Sequence, residues 1–152
     1  MNIAMILPSL ANKGPILVAR DLCIEYKKMG HECFVFYFDD IVEVELPCLS
    51  KRISFWRPID WNTFDIVHSH MYRSDAYVHK PVLKKCHTKF VTTLHQHIAE
   101  QMPFDFPAKK AYFVIHTWLL FLRRFDVLVT LSEYHKAYYE KCGLRNVEVI
   151  YN

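Results

Sequence analysis

The chain has 152 residues, which is the size of one globular domain. It is 52% hydrophobic and contains only three glycines, a composition that excludes a disordered or a collagen-like chain. Its 19 Lys and Arg residues against 16 Asp and Glu residues leave a formal net charge of +3, too small an excess to predict nucleic acid as a partner.

The cysteines and the first residues of the chain indicate a cytoplasmic protein. The five cysteines contain no CxxC pair, which favours free or buried thiols in a reducing compartment over a disulfide framework or a zinc ribbon. The first residues lack the basic segment and cleavage site of a signal peptide. The longest apolar run, residues 112–122, is shorter than the ~20 residues that a membrane span needs.

Short apolar runs alternate with segments of helical period along the chain. In chain order the sequence predicts a strand at 2–7, a helix at 15–29, a strand at 33–38, a short strand within 41–54 that Pro47 interrupts, a strand at 65–69, a helix at 75–85, a strand at 89–94, a helix at 108–124, a strand at 126–131, a helix at 133–142 and a strand at 146–150. The helix at 108–124 is apolar nearly all round, which predicts that it is buried.

This alternation predicts an α/β fold. Strands that are continuous apolar runs are typical of a parallel sheet covered on both faces. The expected architecture is a Rossmann-like, doubly wound, mostly parallel sheet with helices on both faces. In such sheets ligands bind at the carboxyl ends of the strands, near the point where the strand order reverses. The residues that follow each strand are therefore the candidates for function.

The loop after the first strand leads through Gly14 into a helix. A helix N-terminus offers free backbone N–H groups and the positive end of the helix dipole, and both favour a phosphate. The loop lacks the GxGxxG pattern of dinucleotide-binding proteins. Two interpretations remain open: a phosphate contact, or a plain turn in which Gly14 supplies an unusual backbone angle.

Two HxH pairs follow two successive predicted strands, His68 with His70 and His95 with His97. The two-residue period of a strand places both members of a pair on one face. Neutral imidazoles in this arrangement can bind zinc or act as a general base. The alternative is that one histidine of each pair is a core residue and the other caps a loop. No HExxH motif or suitably spaced acidic ligand accompanies the pairs, which favours a functional histidine without a metal.

Two further features lie in the second half of the chain. Ser132 is placed to cap the helix at 133–142, and the N-terminus of that helix faces the predicted cleft. Basic and aromatic residues mix within 102–125, and the segment 103–110 is the candidate for contact with an anionic bilayer or a lipid-linked substrate.

The whole chain resembles the N-terminal domain of the family 4 glycosyltransferases, which have the GT-B fold and belong to the group 1 superfamily. The segments that carry this resemblance, in order, are Pro8-Ser9, Lys13-Gly14, the helix end at 27–31, DIVHSH at 65–70, VTTLH at 91–95, DVLVTLS at 126–132 and VEVIYN at 147–152.

The resemblance implies a retaining transfer of a sugar from a nucleotide-sugar to a polysaccharide or lipid-linked acceptor, as in capsule or lipopolysaccharide biosynthesis. Residues 1–152 would be one Rossmann-like domain that holds the acceptor. The nucleotide-sugar would be held mainly by a C-terminal domain absent from this chain, so the chain alone would be inactive. The family implies no metal and no cofactor, and a cytoplasmic protein with peripheral contact at the inner face of the cell membrane.

The resemblance also implies roles for individual residues. His95 matches the family histidine at the sugar-transfer centre and is the expected catalytic residue. Gly14 occupies the loop near the donor phosphates, and His70 matches a position near the acceptor cleft. Ser9 and Ser132 are the other expected substrate-binding residues.

Two other functions stay open at this point. One is a metal-dependent hydrolase or deacetylase that uses the HxH pairs. The other is a stand-alone module that binds a sugar phosphate without turnover.

Overall fold

The computed structural model describes residues 1–79 and 87–151. In chain order the elements are β1 (Asn2–Leu7), α1 (Gly14–Lys28), β2 (Glu32–Tyr37), β3 (Leu49–Arg52), a single 3₁₀ turn (Trp61–Thr63), β4 (Ile66–His70), α2 (Met71–His79), β5 (Lys89–Leu94), α3 (Ile98–Asp105), α4 (Ala108–Leu122), β6 (Val127–Thr130), α5 (Glu133–Lys141) and β7 (Val147–Val149). None of the helices within the described residues is long and apolar enough to cross a bilayer.

The strands form one seven-stranded sheet in the order β3-β2-β1-β4-β5-β6-β7. Every pairing between these strands is parallel. From β1 the chain runs outward through β2 to the edge strand β3. It then crosses back to β4, on the other side of β1, and continues outward to the edge strand β7. The strand order therefore reverses between β1 and β4. This confirms the predicted Rossmann-like, doubly wound architecture, in which the reversal of strand order lies between the ends of β1 and β4.

The sheet is buried on both faces, which explains why β1 is a continuous apolar run after Asn2. Met5 and Leu7 belong to the cluster packed against α1, whereas Ala4 and Ile6 belong to the larger cluster on the opposite face. This alternation follows from the two-residue period of β1. All four side chains are fully buried.

Two predicted helices differ from the observed ones. α2 begins at Met71, directly after β4, and not at residue 75, while residues 80–85 of the predicted helix lie outside the described residues. α3 was not predicted, because the proline in its sequence is unfavourable inside a helix. The structure accommodates Pro103 in the last turn, and α3 ends two residues later.

The predicted burial of the helix at 108–124 is observed on one face of α4 only. Its buried residues are spaced along one face and are Ala111, Val114, Trp118 and Leu122. Tyr112 and Phe113 are 66% and 63% exposed on the other side of the helix. An apolar composition shows that a helix has apolar residues to bury, but it does not show that the fold provides a partner for each face.

Candidate functional site

Three histidine rings stack at the carboxyl edge of the sheet. His68 and His70 lie on one face at the end of β4, as the period of two predicts, with ring centroids 4.6 Å apart and planes 26° apart. His95 is the first residue after β5, and its ring stacks on His70 with the centroids 5.1 Å apart. His70 Nδ1 lies 2.8 Å from His95 Nε2. The neighbouring positions of β4 and β5 therefore bring residues 25 positions apart into direct contact.

These rings are neutral at pH 7. Burial lowers the pKa of His68 and of His95 to about 4. Burial, together with repulsion from His68 and His95, lowers the pKa of His70 well below its usual range. The bond between His70 and His95 consequently joins an N–H of one neutral ring to the lone pair of the other. The remaining nitrogen of His95 can donate or accept without a formal charge.

The three rings differ in what they can offer a ligand. His68 Nε2 lies 2.8 Å from Thr93 Oγ1, and its Nδ1 lies 3.5 Å from Tyr26 Oη. Both nitrogens of this ring are occupied, so His68 is a core residue. His70 is fully buried, and its Nε2 has no hydrogen-bond partner among the described residues. His95 is only partly buried and is the ring of the stack that a ligand can reach.

On the opposite face of the sheet, the buried carboxylate of Asp75 accepts hydrogen bonds from both β4 and β5. Asp75 on α2 accepts hydrogen bonds from Ser69 Oγ at 2.6 Å and from Thr92 Oγ1 at 2.8 Å. Its second oxygen accepts from Trp118 Nε1 of α4 at 2.7 Å. Burial raises the pKa of Asp75 to about 6, although the three donors counteract this. No sequence pattern predicts this network, since its members are spread over two strands and two helices.

Met71 makes the turn from β4 into α2 in a single residue. Its φ of 72° lies in the left-handed region, which is uncommon for residues other than glycine. Such backbone conformations cluster at functional sites, where the surrounding structure holds them. Here the turn lies directly after His70.

The loop after β1 places Ser9 and Gly14 near the reversal of the strand order. Gly14 begins α1 and has no positive φ, unlike Gly30 and Gly143. The interpretation that Gly14 supplies an unusual backbone angle was therefore wrong. A Cβ atom at Gly14 would meet no heavy atom within 4 Å, so open space lies beside it. Ser9 is buried, and its Oγ accepts from the backbone N–H of Ala11 at 3.4 Å.

Ser132 caps α5, as predicted. Its Oγ accepts from the backbone N–H of His135 at 3.2 Å. This bond uses one acceptor position of the hydroxyl and leaves its hydrogen available.

His97 does not join the histidine stack. Because residues 95–97 lie beyond β5, strand alternation does not apply to the second HxH pair. The His97 ring packs against two rings of α5, with centroid distances of 3.9 Å to Tyr138 and 5.3 Å to Tyr134. It connects the start of α3 to α5.

The stack does not form a metal site. His70 and His95 direct a nitrogen at each other, and His68 bonds to Tyr26 and Thr93. Within the described residues, the group of three or more potential ligands that converge closely enough to hold an ion consists of Cys23, Cys33 and Cys48, at a different place. The geometry gives no support to the zinc hydrolase hypothesis.

Comparison with known proteins gives a family and a fold. The model of Glycosyltransferase Family 4 matches residues 14–152. The chain is 27% identical over 158 residues to the O-antigen biosynthesis glycosyltransferase WclY of Escherichia coli, and the match covers 100% of this chain and 44% of that protein. The chain thus spans less than half the length of this curated relative.

Solved structures of low sequence identity share the fold. HepE of Anabaena, in complex with UDP and glucose, superposes with a TM-score of 0.76 at 14% identity, over 99% of this chain and 44% of that one. Sucrose-phosphate synthase from Thermosynechococcus elongatus gives a TM-score of 0.72 at 12% identity, over 99% of this chain and 47% of that one. The findings support a GT-B glycosyltransferase domain and not a hydrolase or a stand-alone sugar-phosphate module.

Proposed function

We propose that this chain, which belongs to Glycosyltransferase Family 4, is the acceptor-side half of a retaining glycosyltransferase. In this proposal residues 1–152 form one Rossmann-like domain, and a second domain holds most of the nucleotide-sugar. The observation that carries the proposal is the neutral, partly exposed His95 ring, held by His70 at the carboxyl edge of a parallel sheet. The chain without that second domain is inactive.

His95 is the proposed catalytic residue. In this proposal its Nδ1 contacts the donor sugar or the acceptor hydroxyl at the carboxyl edge of the sheet. A neutral imidazole can hydrogen-bond to either group, and it holds that position without introducing a charge. His70 positions the ring through the 2.8 Å bond.

The start of α1 is the proposed contact for the donor phosphates. The open space beside Gly14 admits a phosphate or a sugar close to the backbone. The positive end of the α1 dipole stabilises the negative charge that develops on the leaving nucleotide. Ser9 and Ser132 line the same edge, and each retains a hydroxyl hydrogen that can donate to substrate.

A groove at the ends of β2 and β3 is suited to a saccharide acceptor. It has a volume of about 540 Å³ and is lined by aromatic and basic residues, among them Phe55, Trp56, Arg52 and Arg73. The Trp56 side chain is 83% exposed. Aromatic faces pack on the C–H surfaces of sugar rings, and guanidinium groups donate hydrogen bonds to hydroxyl or carboxylate oxygens.

The exposed face formed by Phe104, Lys109, Lys110, Tyr112 and Phe113, here called the α3–α4 face, supports a peripheral position at the inner face of an anionic membrane. Phe104 is 86% exposed at the end of α3. Lys110 Nζ lies 4.2 Å from the centroid of the Phe106 ring beside it. Basic and aromatic residues together favour the interface of an anionic bilayer, where a lipid-linked acceptor would reside.

The relatives suggest which chemistry to test first. WclY is named for O-antigen biosynthesis, and the HepE structure holds UDP and glucose. We infer that the acceptor belongs to surface polysaccharide or lipopolysaccharide assembly, and that UDP-sugars are the first donors to examine.

The experiment is sugar incorporation by the full-length gene product. The purified protein is mixed with a membrane extract of its source cells and with radiolabelled UDP-, GDP- and dTDP-sugars in turn. The proposal predicts that label from one donor enters a lipid or polysaccharide fraction. Label that enters no fraction from any donor would contradict it.

A further inference from the structure

Three cysteine thiols converge at the amino edge of the sheet, opposite the histidine stack. Cys23 lies on α1, Cys33 is the second residue of β2 and pairs with Ile3 of β1, and Cys48 directly precedes β3. Their Sγ atoms all lie within 4.8 Å of one another. The Sγ atoms of Cys23 and Cys33 lie 3.3 Å apart. All three are free cysteines.

This spacing suits a metal ion. Zinc–thiolate bonds of about 2.3 Å in tetrahedral geometry place the sulfur atoms about 3.8 Å apart. The Cys23–Cys33 separation is 3.3 Å, and no separation among the three sulfur atoms exceeds 4.8 Å. The three sulfur atoms are thus close enough together to share one ion.

The surroundings supply the rest of a coordination sphere. A pocket of about 530 Å³ reaches Cys33 and Cys48 from the solvent and is also lined by His31 and Lys27. The pocket leaves room for a water molecule as the fourth ligand. Lys27 Nζ donates to the carbonyl oxygen of Pro47 at 3.2 Å, directly beside Cys48.

We propose that Cys23, Cys33 and Cys48 bind one Zn²⁺ ion as three thiolates. Binding breaks three S–H bonds, forms three S–Zn bonds and releases three protons to solvent, so that the site carries one net negative charge. The Lys27 ammonium group in the same pocket offsets this charge. The ion would connect α1, β2 and the segment before β3 at an exposed edge strand. It is structural, and it does not depend on the proposed glycosyltransferase function.

The test uses the full chain purified under reducing conditions, with Co²⁺ as the spectroscopic probe. One equivalent of Co²⁺ is expected to produce a sulfur-to-cobalt charge-transfer band, which one equivalent of Zn²⁺ then removes. Zn²⁺ is also expected to raise the Tm, since it binds only the folded chain. The Cys48→Ser variant should lose the band, whereas Cys142→Ser, which changes a cysteine outside the cluster, should keep it.

Two results would overturn the proposal. One is the absence of a charge-transfer band in the reduced chain, and the other is a band of equal intensity in Cys48→Ser. If Cys48→Ser does not fold, alkylation of the unaltered chain gives the answer. Zn²⁺ should slow iodoacetamide modification of Cys48 and leave that of Cys142 unchanged. Equal modification of Cys48 with and without Zn²⁺ contradicts the site.

Discussion

His70 Nδ1 and His95 Nε2 lie 2.8 Å apart between two adjacent parallel strand ends, and both rings are neutral because burial disfavours their charged forms. The bond holds the His95 imidazole at the edge where doubly wound sheets bind their ligands. It also connects the stability of the domain to pH, because protonating either ring costs free energy in the folded state only.

Acid should destabilise the domain in a defined window. The pKa of His68 and His95 falls from an ordinary 6.5 to about 4 on folding, and that of His70 falls well below its usual range. Their stabilisation is thus complete above pH 6.5 and is lost as the pH falls toward 4, because the unfolded chain binds more protons. Each buried histidine contributes a slope of at most about 1.4 kcal/mol per pH unit.

The contribution of Asp75 to stability changes with pH in the opposite direction from that of the histidines. Its folded pKa is raised from 3.8 to about 6, so its contribution is greatest at low pH and declines as the pH rises toward 6. The Asp75→Asn variant should therefore lose stability more steeply between pH 6 and pH 4 than the unaltered chain. Urea unfolding midpoints measured across that range test both statements. A midpoint that stays constant from pH 7 to pH 4 would refute the assignment of the neutral histidines.

Because Trp118 donates to the buried Asp75, a Trp→Phe substitution is expected to lower the unfolding free energy more at Trp118 than at Trp56. Trp118→Phe removes a buried ring edge and leaves one carboxylate oxygen without its donor, so it should cost about 2–4 kcal/mol of unfolding free energy. Trp56→Phe, at a side chain that is 83% exposed, should cost less than about 0.5 kcal/mol. Chemical denaturation of both variants gives the comparison, and equal losses would argue against a structural role of Asp75.

A substitution of Gly14 is expected to change KM for the nucleotide-sugar without lowering the stability of the domain. Gly14→Ala adds a methyl group that meets no atom of the protein, at a helical position without positive φ, so the domain should keep or slightly gain stability. The same methyl group would occupy the proposed donor approach, and KM for the nucleotide-sugar should rise about tenfold or more. Gly30→Ala, where φ is 79°, is the matched control and should lose about 1 kcal/mol of stability with KM unchanged. An unchanged KM in Gly14→Ala would remove the loop from the donor site.

The α3–α4 face should bind anionic vesicles. Each lysine near such a surface contributes about 1 kcal/mol, so reversing the charge of Lys109 and Lys110 should weaken sedimentation with phosphatidylserine vesicles by at least about tenfold. The effect should shrink at high salt, because the charges are exposed. Reversing Lys136 and Lys141 on α5 provides the control. Equal losses in the two double variants would show that only net charge matters.

Much of the fold could be predicted from the sequence because its central strands are buried on both faces. The predicted strands at 2–7 and 89–94 match β1 and β5 residue for residue. After Asn2, β1 is a continuous apolar run, which is the clearest one-dimensional signal of a buried strand. α3 was missed, because an interior proline carries a local penalty that tertiary packing of Ile98 and Met102 offsets.

The candidate site could be predicted only in part. The period of two correctly placed His68 and His70 on one face, and parallel strands brought His95 to the same edge. The Asp75 network and the cysteine cluster could not be predicted. Their members lie on separate elements with no characteristic spacing, so only the observed packing brings them together.

The most direct test of the account is a complementation experiment with His95. The gene that encodes this chain is deleted in its source organism, and the unaltered gene, a His95→Ala variant and a His116→Ala variant are returned separately. His116 is the control because it is an exposed histidine on α4. We expect the unaltered gene and His116→Ala to restore the surface polysaccharide, and His95→Ala to fail at equal protein level. Full restoration by His95→Ala would contradict the proposed role of His95.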